Sequence, residues 1–262
     1  MELLVVIAII ALLMSILMPA MSRVRRQTKA AICQSNLKQL GTCFAMYTGD
    51  NDGYFQEGYH GLPNCSWGGD GAHWWIDALK PYYKNNDVCL CPMASRFSET
   101  MHPGAIGAKF YAWFSKGWIT KDRYGSYGVN GWVENNQCSE EEGTDAEAWR
   151  WRHANVKGGG NIPLLLDNQW IDGWPEDEDV PPKYDDQDYR FDPTTHMDRF
   201  MMNRHDGYIN GVFVDFTVRR IGLKELYTLK WHRAYDVRGT WTLAGNVSRD
   251  MWPEWLQKFK DY

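Results

Sequence analysis

The chain has 262 residues, of which 44% are hydrophobic and 23% charged, with a formal net charge of −5 at pH 7. That length allows one sizeable core, and the acidic balance leaves no electrostatic footprint for nucleic acid. Seven histidines are scattered without a His-Glu-x-x-His pair, and neither a Gly-x-Ser-x-Gly elbow nor a phosphate-binding glycine loop occurs, so enzyme chemistry is not expected.

The first element is an apolar run, Leu3–Ala20, whose only interior polar residue is Ser15 and whose head carries the carboxylate of Glu2. About 18 apolar residues just reach the length needed to cross a bilayer. A carboxylate in such a helix costs about 2.5–3.5 kcal/mol on insertion scales, so it marks a function. A cleaved signal peptide and a buried core helix are the plainer alternatives. The first needs a cationic lead-in and a small-x-small cleavage site, and Glu2 and Met18-Pro19-Ala20 supply neither. Beyond Arg23, Arg25, Arg26 and Lys29, the residues Cys33, Leu37, Leu40, Phe44 and Tyr47 recur at steps of four and three, one stripe of a helix. Gln34, Lys38 and Thr42 lie on the opposite face. The pattern predicts one helix from about Glu2 to Tyr47, kinked near Pro19 and stopped by Gly49 and Asp50-Asn51-Asp52-Gly53.

Downstream, a short helix is predicted around Trp74–Tyr83 and a strand at Val88–Cys91, with Cys89 and Cys91 facing the same way. Further strands are predicted at Tyr127–Val133, Pro163–Asp167 and Gly211–Val214, with a return strand at Thr217–Ile221. The last pair reads as a hairpin turning at Asp215-Phe216, although Phe is a poor residue where positive φ is needed. Leu223–Trp231 and Met251–Phe259 read as short helices. The expected class is α+β: a long N-terminal helix, membrane-spanning in its first half and amphipathic in its second, packed on a small antiparallel sheet with large loops. Residues 1–48 would form the membrane and assembly helix and residues 49–262 the head.

Six cysteines without a Cys-x-x-Cys pair point to disulfides rather than a zinc site. Cys33 and Cys43, ten residues apart on one helix, are separated by roughly 15 Å and cannot bridge each other. The disulfide candidates are therefore Cys65, Cys89, Cys91 and Cys138, while Cys33 and Cys43 also read as small buried apolar residues. Fourteen tryptophans admit two uses, filling an irregular core or stacking on sugar rings of a polysaccharide. The acidic stretch Glu176–Asp192 reads as a solvated loop, with Asp185, Asp186 and Asp188 as weak candidates for Ca²⁺, although no EF-hand spacing is present. His205 with Asp206 and Asp215 reads either as an acid/base or metal cluster, or as a hydrogen-bonded structural histidine at a strand entry.

Several segments together resemble a known family. Glu2 with the apolar run and Pro19 resembles the N-terminal segment of type IV pilins and type II secretion pseudopilins. Cys33-Gln34-Ser35-Asn36-Leu37-Lys38-Gln39-Leu40-Gly41 is similar to the pilin-like secretion proteins abundant in planctomycetes, verrucomicrobia and their relatives. So are Leu90-Cys91-Pro92, Ser126–Asn130, Pro163–Asp167 and Arg204-His205 with Asp215. That family carries a His, nine residues, then Asp-Gly; here His205 and Asp215 keep the spacing and Phe216 replaces the glycine. The resemblance implies a pilin-like fold and a structural subunit, not an enzyme and without a resident cofactor. Its partners would be other pilin-like subunits, the secretion or pilus machinery and the membrane. Glu2 and Pro19 would serve assembly, and Cys33, Asn36, Leu37, Gly41, Cys91, Pro92, His205 and Asp215 would be the family-motif positions. It also implies a single pass through the cytoplasmic membrane with the head outside. Arg23, Arg25, Arg26 and Lys29 alone would orient the chain the other way, so a cationic leader ending in Gly, then a Phe-Thr-Leu-like stretch, is expected to be encoded upstream. The alternative is a membrane-anchored or filament-tip module that holds polysaccharide.

Overall fold

The computed structural model describes residues 2–58, 74–97, 106–115, 123–135, 148–188, 190 and 195–262; for residues 2–5 and 8 it describes the backbone alone. The molecule is α+β. Helix α1 spans Glu2–Asp50 and runs uninterrupted through Pro19. It ends as turn chemistry dictates: Asp52 and Gly53 adopt φ of 53° and 87°, and the Gly53 amide donates to the Thr48 carbonyl at 2.7 Å.

The two halves of α1 live in different surroundings. From Val6 to Lys29 every described side chain is exposed, including Ile9, Leu12, Leu13, Ile16 and Leu17. From Ala30 onward the periodic stripe turns inward, and Cys33, Leu37, Leu40, Cys43 and Phe44 enter the same core as the head. Among the described residues, no helix is long and apolar enough to cross a membrane.

After α1 come helix α2 (Trp75–Ala78) and strands β1 (Trp113–Ser115), β2 (Arg123–Gly125), β3 (Tyr127–Asn130), β4 (Pro163–Asp167), β5 (Asp172–Gly173), β6 (Tyr208–Phe213) and β7 (Val218–Gly222). β1 and β2 form a small antiparallel pair, and the main sheet has the order β5-β3-β4-β6-β7. Its pairs are antiparallel except β3–β5, so the expected antiparallel sheet is mixed. The chain leaves β4, turns at Asn168, whose side chain accepts from the Trp170 amide at 2.8 Å, and returns along the far side of β3. β4 is buried at every position, as its continuous Leu164-Leu165-Leu166 run requires. α1 packs against β4, β6 and β7. Gly41 permits the approach: a Cβ there would meet Val212 Cγ2 at 2.8 Å.

Several expected elements differ: the strand expected at Tyr127–Val133 ends at Asn130 before a 3₁₀ turn over Gly131–Val133, and the helix expected around Trp74–Tyr83 is α-helical over Trp75–Ala78 and 3₁₀ over Lys80–Tyr82. Val88–Cys91 is not a strand. A 3₁₀ turn covers Asn86–Cys89, with the Asn85 side chain accepting from the Asp87 amide. The helix expected at Met251–Phe259 is a 3₁₀ turn, Arg249–Met251, followed by irregular turns, because Pro253 cannot continue it. Leu223–Trp231 contains a 3₁₀ helix at Lys224–Thr228 instead of an α-helix. The hairpin turns at Asp215-Phe216 as expected, with Phe216 held at φ 61°. No described tryptophan is exposed: Trp75, Trp113, Trp132, Trp151, Trp231 and Trp252 are buried and the others half-buried against the core. Trp67 and Trp118 lie outside the described residues.

Candidate functional site

Four separate segments converge on one buried cluster where α1 meets the sheet. The α1 stripe contributes Cys33. Cys91 opens a tight turn in which the Ala94 amide donates to the Cys91 carbonyl at 2.8 Å and Pro92 occupies the second position. Asp167 ends the apolar strand β4. Arg204 and His205 precede β6 on a bend made possible by Asp206 (φ 56°) and Gly207 (φ 99°), with the Asn203 side chain accepting from the Gly207 amide.

Inside the cluster, His205 Nε2 lies 3.2 Å from Asp167 Oδ2 and 3.5 Å from Cys91 Sγ. Cys33 Sγ is 3.8 Å from both carboxylate oxygens of Asp167, and the Tyr127 hydroxyl reaches Cys33 Sγ at 3.4 Å. One donor atom from each of Cys33, Cys91, Asp167 and His205 lies within 4.8 Å of all the others. These are the described residues that can hold a metal ion together. Arg204 is buried behind them and donates to Asp167 Oδ1 (2.9 Å) and to the carbonyls of Ser126, Ala108 and Asn168. The Asn210 amide holds Asp167 Oδ2 at 2.9 Å, while His205 Nδ1 has no hydrogen-bond partner among the described residues.

Burial alone would push the Asp167 carboxyl up, but the positive charges of His205 and Arg204 and the Asn210 amide hold it well below the usual carboxylate range. Burial works to lower His205, yet Asp167 and Cys91 raise it to about 9. Burial raises Cys91 too, and hydrogen bonds with Cys33 and His205 together with the Arg204 charge bring it down to about 6. Cys33, buried beside Asp167, is pushed up. The cluster thus favours an anionic Cys91 and Asp167 against a cationic Arg204 and His205.

The same geometry explains most of the motif around Cys33. Gln34 donates to Asn210 Oδ1 at 2.9 Å, and Asn36 donates to the Leu90 carbonyl at 2.9 Å, which fixes the turn carrying Cys91 and Pro92. Leu37 and Leu40 fill the core, Lys38 donates to the Phe216 carbonyl, and Gly41 admits β6.

Other candidates separate. His205 does not meet Asp215, because the whole of β6 lies between them; Asp215 instead accepts from the Thr217 amide and hydroxyl at the hairpin tip. Asp206 is exposed and pairs with Arg26. Cys89 and Cys91 are free buried thiols, as are Cys33 and Cys43, so the expected disulfides at Cys89 and Cys91 are not formed; Cys65 and Cys138 lie outside the described residues. Asp185 pairs with Lys109, Asp186 accepts from the Lys109 amide, and Asp188 is gripped by Arg190. The side chain of Glu2 lies outside the described set, and Pro19 sits in the exposed half of α1.

Asp167 and Arg204, present in the sequence within the segments Pro163–Asp167 and Arg204-His205, are the site residues that carried no expected role of their own. Their signal was a carboxylate closing an all-apolar strand and an arginine preceding the histidine. Compared with known proteins, the chain matches no family model, no curated protein and no solved structure.

Proposed function

We propose that the chain is a structural subunit, a pseudopilin or pilin-like protein, of a type II secretion or type IV pilus-like filament, assembling through the apolar half of α1. The observation that carries this reading is the exposure of that half. Leu12, Ile16 and Met18 are 64%, 67% and 68% exposed on a helix that is apolar all round, so something outside the chain must cover them. Neighbouring copies of the same helix cover them in a filament, and lipid covers them before assembly. The full apolar run of the sequence, Leu3–Ala20, is the part this reading places in the cytoplasmic membrane, with the head outside. Glu2 then pairs with the N-terminal amine of a neighbouring subunit, a buried contact that sets register. The sequence resemblance at Glu2, Pro19 and the Cys33–Gly41 motif supports the same assignment.

Leu13→Lys and Ile16→Lys test it in the full chain expressed in its own cells. Neither residue is buried against the head, so the thermal stability of the head is expected to change little. Recovery with membranes and sheared filaments is expected to fall several-fold, since a central lysine costs about 2.5–3.5 kcal/mol on insertion scales. Unchanged recovery in both fractions would remove the reading.

The binding-module alternative needs a platform of exposed tryptophans. None of the described tryptophans provides one.

A further inference from the structure

We propose that Cys33, Cys91, Asp167 and His205 form a tetrahedral zinc site that pins α1 to the head. The site stands independently of filament assembly. The donor set comes first: two thiols, one imidazole and one carboxylate are the ligand types that zinc takes, and all four are buried with no open position, the mark of a structural site.

The spacing comes second. Zinc bonds of about 2.3 Å to sulfur and about 2.0–2.1 Å to nitrogen and oxygen, at tetrahedral angles, put donor atoms about 3.3–3.8 Å apart. Three separations in the cluster are 3.2 Å (His205 Nε2 to Asp167 Oδ2), 3.5 Å (Cys91 Sγ to His205 Nε2) and 3.8 Å (Cys33 Sγ to Asp167). A Cys33–Cys91 disulfide would account for the sulfurs alone. It would not account for a buried carboxylate facing one sulfur and an imidazole nitrogen facing the other.

Charge and support come third. Two thiolates, one carboxylate and a neutral imidazole around Zn²⁺ carry a net −1, which the buried Arg204 guanidinium neutralises through Asp167 Oδ1. Arg204 and the Asn210 amide thereby orient the carboxylate ligand from outside the site. Binding releases two protons, one from Cys33 and one from the proton shared by Cys91 and His205, and leaves the remaining imidazole proton on Nδ1. A cavity of about 460 Å³ touches the cluster at His205, with Arg23, Arg26, Arg204 and Arg220 among its other lining residues.

The ligands come from α1, the Cys91 turn, β4 and the bend before β6. Binding energy is therefore spent on holding the helix against the sheet. The test uses the full chain in detergent micelles, reduced, supplied with Zn²⁺ and desalted. About one zinc per chain is expected by elemental analysis, and Co²⁺ in its place is expected to give the intense visible bands of a tetrahedral thiolate site. Cys33→Ser is expected to weaken zinc binding roughly 100-fold or more, whereas the Cys43→Ser, Cys89→Ser double variant, altering free thiols outside the cluster, keeps full stoichiometry. Less than about 0.1 zinc per wild-type chain, a pale octahedral cobalt spectrum, or a folded Cys33→Ser that retains zinc overturns the proposal. Should Cys33→Ser fail to fold, the wild-type stoichiometry and cobalt spectrum decide alone. A Cys33–Cys91 disulfide as isolated, with no zinc taken up after reduction, also overturns it.

Discussion

At the scale of single residues, the head keeps several carboxylates where water cannot reach them. Burial pushes Asp198 up to about 7, against the opposing pull of Arg199, and Asp172 and Asp179 up to about 6. A raised folded-state value means that the native chain holds its proton longer than the unfolded chain, whose aspartates titrate near 3.9. Stability from Asp198 is therefore lost as pH rises from about 4, and the full penalty stands above about 7. Asp198→Asn removes that penalty. In paired thermal melts the variant is expected to lie roughly 4–8 °C above wild type at pH 8, for about 2 kcal/mol in a chain of this size, with the gap closing as pH falls toward 4. A gap independent of pH would contradict the burial argument.

The partner of His205 illustrates what a sequence can hide at this scale. A His and an Asp ten positions apart invite pairing, but a six-residue strand at about 3.3 Å per residue holds them roughly 20 Å apart. The true partner, Asp167, reaches His205 only because β4 lies beside β6 in the sheet. Cys33, Cys91 and His205 were each legible as motif positions. Their convergence was not, since it depends on the packing of four segments.

At the scale of elements, α1 was the most legible part of the chain, because a periodic stripe over several turns leaves little ambiguity. Short apolar runs carry no such redundancy. Val88–Cys91 is a four-residue apolar run that reads as a strand, yet the Asn85 side chain captures the Asp87 amide and winds the segment into a 3₁₀ turn. The Phe216 turn was readable despite its residue, since the two flanking strands fix the hairpin and force Phe216 into the left-handed region.

Two glycines of α1 separate propensity from packing. Gly49 has nothing within 4 Å of the position an added methyl would take, so Gly49→Ala is expected to stabilise the chain by up to about 1 kcal/mol through helix propensity. Gly41→Ala has the same propensity gain but drives a methyl into Val212 Cγ2, and is expected to destabilise by about 1–3 kcal/mol. Chemical denaturation of both variants checks the pair. A stabilised Gly41→Ala would mean that α1 can move away from β6 without loss.

At the scale of the whole molecule, one continuous helix serves two environments. Its second half is part of the head's own core, sharing Leu37, Leu40 and Phe44 with strands β4 and β6 and their neighbours. Its first half has no described contact with the head except at the base, where Arg26 meets Asp206. Changes in the apolar half should therefore alter association while leaving the head folded, and changes in the Cys33–Gly41 stretch should do the reverse. The apolar run was legible from composition alone, whereas the irregular tail after Leu223, built from tryptophan contacts such as Trp241 with Trp252, was not. Such contacts follow no repeating interval.

The most direct measurement places a photo-crosslinking residue at Leu13 of the full chain in intact cells. The expected result is a ladder of multiples of this chain, formed through neighbouring apolar halves, which disappears when the crosslinker is moved to the exposed Asp250 on the head. A chain that stays monomeric under crosslinking at Leu13, and is recovered away from both membranes and filaments, would contradict assembly through α1.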